Sequence, residues 1–190
     1  MFIKVGVRMK STDKLVEIIL DVLDVKQENR PVLVNGNSRT IYNPTLNTIF
    51  LAINSLPDAF VHLAHESMHY LQHSENRLGN YTNEDRANYK GKTEGMFYTY
   101  EFEREAQAFG WLLAGKLVEL LYSKKPSIKT AYEHNKKLYI KMMQLVESDV
   151  TSKEELIRIQ ELLDLEFTRI KEKYSERVDE FASQFIYWNQ

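Results

Sequence analysis

Cysteine is absent from all 190 residues, which excludes disulfides and thiolate metal sites and fits a reducing cytoplasm, the compartment expected for this chain. An excess of charge of one sign is lacking too: 25 Lys and Arg stand against 27 Asp and Glu, a net charge of −2. A balance that close to neutral carries no electrostatic footprint for nucleic acid. Nor is there a long apolar run. The most apolar early stretch, Leu15 to Val25, is broken by Glu17, Asp21 and Asp24, so it does not span a bilayer and no membrane partner is expected. Met1 to Gly6 has no basic region followed by a long apolar core, so no signal peptide is expected. With 43% apolar residues, the chain can bury one substantial core, with or without a helical extension.

Histidine is also scarce, and its placement is therefore informative. Four of the five histidines, His62, His65, His69 and His73, fall in one segment with steps of three, four and four. On a helix they form one stripe. Within that segment Leu63-Ala64-His65-Glu66-Ser67-Met68-His69-Tyr70-Leu71 contains His-Glu-x-x-His. His65 and His69 stand one above the other and can grip one ion. Neutral imidazole suits Zn2+, and two such ligands with a third residue leave one position open for water. Glu66 follows the first histidine, where its carboxylate can act as general base and then pass the proton to a leaving amine. This pattern is the one used by zinc-dependent peptidases.

The rest of the chain predicts an α+β fold: a small, largely antiparallel sheet packed on the motif helix, followed by a mostly helical C-terminal part. Ser11 or Thr12 caps a helix from about Asp13 to Val25, with Leu15, Ile18, Ile19 and Val22 on one face. Pro31 to Val34 reads as a strand ending in the Asn35-Gly36-Asn37 turn. Two more strands, Arg39 to Tyr42 and Thr48 to Ile53, flank turn residues from Asn43 to Asn47. The strand Thr48 to Leu51 is expected to offer an edge on which an extended substrate pairs. Ser55 caps the motif helix, Pro57 and Asp58 suit its first turn, and Phe60, Val61, Ala64, Met68 and Leu71 face the core. A loop from His73 to about Gly95 follows. Ser127 begins a helix to about Val146, and Ser152 with Glu155 forms a capping box for a long last helix. Its stripe runs through Leu156, Ile159, Leu163, Phe167, Ile170, Tyr174, Val178, Phe181 and Phe185. The simplest burial for that stripe is a hairpin against Ile128, Tyr132, Leu138, Met142 and Leu145. On this reading residues 1–123 form a zincin-like core and residues 124–190 a helical hairpin extension.

The third ligand has two possible sources. A metzincin would need glycine at position 72 and histidine at position 75, where this chain has Gln72 and Glu75. The better candidate is Glu103, 34 residues beyond His69, on a helix from Glu101 to about Tyr122. Glu103, Ala106, Gln107 and Gly110 share one helical face. Small Ala106 and Gly110 allow close approach to the motif helix, and Gln107 can hydrogen-bond a ligand histidine. Glu101 and Glu105 point elsewhere and read as solvated.

The segments Thr40-Ile41-Tyr42-Asn43-Pro44, Asn47-Thr48-Ile49-Phe50-Leu51, His65 to His73 and Glu103-Arg104-Glu105-Ala106-Gln107-Ala108-Phe109 together resemble the ImmA/IrrE type of zinc metallopeptidase, a compact gluzincin. The resemblance covers about residues 30 to 120 of the chain. It implies zinc bound by His65, His69 and Glu103, with Glu66 as the catalytic acid-base. It also suggests a protein or peptide substrate such as a transcriptional repressor. Gln107 departs from the family's usual Asp or Asn, Gly110 from Ala, and Met68 from Gly. No helix-turn-helix segment is evident.

Tyr98 and Tyr100 lie shortly before Glu103, where a phenol can donate to a developing oxyanion. His73 is expected at the edge of the site in a packing or hydrogen-bonded role, His62 at the surface, and His134 in a structural or exposed one. A reading of a different class is a catalytically silent zinc-binding interaction or inhibitory module that uses the helical C-terminal region. Glu66 argues against it, because a structural zinc site has no need of that carboxylate.

Overall fold

The computed structural model describes residues 15–37, 39–52, 56–78, 100–122, 140, 143–144, 146–148, 150 and 152–188, and leaves aside the side chains of 37, 56–60, 117–122 and 184–188. The expectations for the Ser11, Thr12, Ser55 and Ser127 caps, most of the loop before Gly95, Tyr98 and His134 lie outside the described residues. So do the hairpin partners Ile128, Tyr132, Leu138, Met142 and Leu145.

The fold is α+β. The first helix, α1, covers residues 15–22 and buries Leu15, Val16, Ile18, Ile19, Leu20 and Val22 while Glu17 and Asp21 stay outside. It stops at Val22 rather than Val25. Asp24 takes φ +64°, and Val25 N–H bonds back to Leu20 O at 2.9 Å, a left-handed end that satisfies a free carbonyl. Arg30 then holds the exit by donating to Val25 O and Glu17 O and pairing with Asp21.

Three strands follow: β1 (Val32–Asn37), β2 (Ile41–Asn43) and β3 (Thr48–Ala52). The order is β1-β3-β2, with β2 antiparallel to β3 and β1 parallel to it. The sheet is thus mixed, and β3, expected to offer an edge, is its central strand. The cause lies at Gly36. Instead of closing a hairpin, it adopts φ +103° at a register shift between Asn35 and Asn37, so β1 continues past it and the chain crosses to the far edge. The β2–β3 turn is the tight one expected: Leu46 N–H bonds to Asn43 Oδ1 at 3.1 Å, and Asn47 takes φ +46°. Alternation along the strands turns Leu33, Tyr42, Ile49 and Leu51 towards the core and Val32, Val34 and Ile41 outwards.

Helix α2 (Leu56–Ser74) buries Val61, Leu63, Ala64, Met68 and Leu71. It ends as α1 does, with Asn76 at φ +54° and Arg77 N–H bonded to Gln72 O at 2.7 Å. Helix α3 (Glu101–Tyr122) lies antiparallel to α2, Glu103 beside His65 and His69 and Gly110 beside Val61. A Cβ on Gly110 would stand 2.9 Å from Val61 O, so only glycine allows this approach.

Helix α4 (Lys153–Trp188) starts as expected, with Glu155 N–H bonded to Ser152 Oγ at 3.1 Å. It runs parallel to α3: Arg169 meets Glu105, Tyr174 meets Phe109 with ring centroids 5.3 Å apart, and Asp179 meets Lys116 at 2.8 Å. Its stripe divides. Ile159 and Leu163 pack with Val146, Met143 and Val150. Ile170, Tyr174, Val178 and Phe181 join the main core with α1, α2, α3 and the sheet. Trp111 touches both clusters. Among the described residues, no helix is long and apolar enough to cross a membrane.

Candidate metal centre

The i, i+4 spacing on α2 stacks His65 over His69, with ring centroids 4.5 Å apart and planes at 89°. Glu103, in the first turn of α3, faces both. Its Oε2 lies 3.3 Å from His65 Nε2 and 3.4 Å from His69 Nε2. Among the described residues, this trio forms a group able to hold a metal ion, one donor atom from each lying within 4.8 Å of the others. Three ligands at about 2.0–2.2 Å from a tetrahedral ion sit about 3.3–3.5 Å from one another, so the observed spacing fits. Two turns further along α3, Gly110 lets that helix approach α2 closely at Val61.

The electrostatics also fit a cation. Burial works to raise the Glu103 pKa, but hydrogen bonds and charge from His65 and His69 outweigh it and hold the carboxyl well below its usual range. Burial works to lower His69, yet Glu103, with help from Glu66 and Gln72, pushes it up to about 9. A buried carboxylate between two imidazoles calls for a positive charge in its vicinity, supplied by a proton or a metal ion.

Glu66 is half-buried beside the trio, and its Oε2 accepts the Tyr42 N–H at 2.7 Å. The strand that meets the site is therefore β2, an edge of the sheet, and not Thr48–Leu51. Tyr42 is anchored from the same helix: its Oη lies 2.9 Å from His73 Nδ1 and its ring meets Tyr70 edge-on at 5.7 Å. Burial, then the Tyr70 charge, push the Tyr42 phenol up to about 12. His73 thus has the hydrogen-bonded role expected of it, and His62 is exposed. Tyr100 is half-buried against Phe102 at 5.5 Å between rings, and Phe102 in turn lies edge-on to His69 at 6.0 Å.

The residue that supports His69 is Gln72 and not Gln107. Gln72 Oε1 lies 2.8 Å from His69 Nδ1, while His65 Nδ1 is buried without a partner among the described residues. Glu105, expected to be solvated, is 1% exposed. It accepts from Gln72 Nε2 at 2.8 Å and from Arg77 at 2.6 Å. Burial works to raise the Glu105 pKa, but these bonds, with charge from Arg77 and Arg169, hold it down. The step of three from His69 to Gln72 was a usable signal, since it puts both on one face of α2. Nothing local marks Glu105, because its partners come from the end of α2 and from α4. Compared with family models, curated proteins and solved structures, the chain finds no significant match.

Proposed function

We propose that this chain is a zinc-dependent metallopeptidase of the gluzincin type that hydrolyses a peptide bond in a protein substrate. The observation that carries the reading is the Glu103 carboxylate between the two Nε2 atoms, with Glu66 one residue from His65 and free of the trio. Two imidazoles and one carboxylate suit zinc. When bound, such an ion supplies Lewis acidity to a carbonyl and lowers the pKa of water towards about 7.

The chain's own residues supply the remainder. Glu66 has one oxygen held by the Tyr42 N–H, which fixes its rotamer and leaves the other oxygen to take a proton from the attacking water and deliver it to the amine. Because that N–H comes from β2, the edge strand also stands next to the reacting carboxylate, and an extended substrate can be aligned there. The resemblance to ImmA/IrrE peptidases supports the same four roles and suggests a repressor as substrate. The absence of cysteine fits a cytoplasmic setting.

The test measures zinc content and cleavage of a set of unstructured proteins by the full chain and by Glu66→Gln. The expected result is equal zinc in both and turnover lowered by about 10²–10⁴-fold in the variant. Equal turnover removes Glu66 as the base. Zinc in both with cleavage in neither, even with the natural partner present, favours the silent interaction module.

A further inference from the structure

We propose that Gln72 is a positioning residue that holds the His69 imidazole as the tautomer protonated on Nδ1, with its lone pair on Nε2, and that Glu105 holds Gln72 in turn. The proposal rests on the metal centre described above but not on peptidase activity.

Hydrogen-bond polarity fixes the amide's orientation. An amide side chain has two donors on its nitrogen and only acceptors on its oxygen. Gln72 Nε2 stands 2.9 Å from Phe102 O and 2.8 Å from Glu105 Oε2. Both neighbours accept. The opposite amide orientation would set Oε1 against two oxygens inside the core, where Gln72 is 0% exposed. The orientation is therefore dictated by the surroundings. It leaves Oε1, 2.8 Å from His69 Nδ1, as an acceptor, so Nδ1 must carry the proton. A neutral imidazole with Nδ1–H presents its lone pair at Nε2, on the side of Glu103.

Glu105 is itself held in place. Arg77 Nη1 donates to its Oε2 at 2.6 Å, and Arg169 Nη2 on α4 makes an ion pair with its Oε1 at 3.2 Å. Arg169 is also fixed by Glu166, one turn away on α4. The support of His69 therefore passes through α2, α3 and the last helix. The two ligand histidines are unequal in this respect, because His65 Nδ1 has no partner among the described residues. Outer supports of ligand histidines typically contribute 10–100-fold in metal affinity.

The experiment uses the full chain and measures zinc affinity by competition with a chromophoric chelator, the visible spectrum of the Co2+ form, and the melting temperature without metal. Gln72→Met keeps the volume and removes the acceptor. Expected are a 10–100-fold weaker zinc affinity and an altered Co2+ spectrum in a protein that still melts cooperatively. Wild-type affinity and an unchanged spectrum would overturn the proposal, since a residue that only fills space would lower the melting temperature alone. If that variant does not fold, long-range 1H–15N NMR of the zinc-loaded wild type decides: a proton on His69 Nδ1 is expected, and a proton on Nε2 with Nδ1 free of one refutes the role. Absence of zinc and cobalt binding in the wild type would overturn the metal centre and this support with it.

Discussion

Gly110→Ala tests whether helix contact sets the geometry of the centre. The added Cβ would lie 2.9 Å from Val61 O and 3.4 Å from Val61 Cγ1. Carbon–oxygen contacts normally fall at about 3.3–3.6 Å, and a carbonyl inside α2 cannot rotate away, so α3 must move by about 0.4–0.7 Å. Overpacking of this kind costs about 1–3 kcal/mol. Replacing glycine by alanine in a helix interior recovers about 0.8–1.0 kcal/mol. The net loss is about 0–2 kcal/mol, a fall in Tm of up to about 8 °C for a chain of this size. Gly115, on the same helix, is exposed and has nothing within 4 Å of an added Cβ. Gly115→Ala should therefore gain the propensity alone and raise Tm by about 2–4 °C. The gap between the two variants isolates the packing cost. Glu103 lies two turns before Gly110 on the same helix, so zinc affinity should fall in Gly110→Ala and not in Gly115→Ala. Thermal melts with a parallel chelator titration provide the assay. If both variants raise Tm equally and bind zinc equally, the helices do not meet as closely as argued.

With His69 pushed up to about 9, zinc must displace a proton below that pH, so its affinity should rise about tenfold per pH unit between pH 7 and 9 and then level off. The metal-free fold should show the opposite trend. A raised folded-state pKa stabilises fully below the unfolded value of about 6.5 and loses its effect as pH rises through about 9. Chelator competition and urea melts across this range check both signs, and a flat zinc affinity would remove the His69–Glu103 pair as the cause. Ser152→Ala removes the acceptor of Glu155 N–H and should cost about 1 kcal/mol by urea melt, with no change in zinc affinity. A loss of zinc in that variant would mean that the start of α4 governs the centre.

The contrast between Glu103 and Glu105 shows which features could be read without coordinates. His65, Glu66 and His69 lie within five residues on one helix, so their relation follows from local hydrogen bonding and needs no partner. Glu103 could be inferred because Ala106 and Gly110 mark the face of α3 that comes close to α2. The start of α4 was equally legible, since Ser152 accepts from the Glu155 N–H within one turn. By contrast, Glu105 looked like a surface residue because its counterions, Arg77 and Arg169, are 28 and 64 residues away in the chain. Asn35-Gly36-Asn37 reads as the turn that ends the first strand, but pairing with β3 competes with local turn preference and keeps β1 extended through a bulge. The same long-range pairing makes β2 the strand that meets Glu66. Periodicity and capping belong to a single segment and are written in its residues; partner choice is a sum over contacts between distant segments, and only the folded chain carries it out.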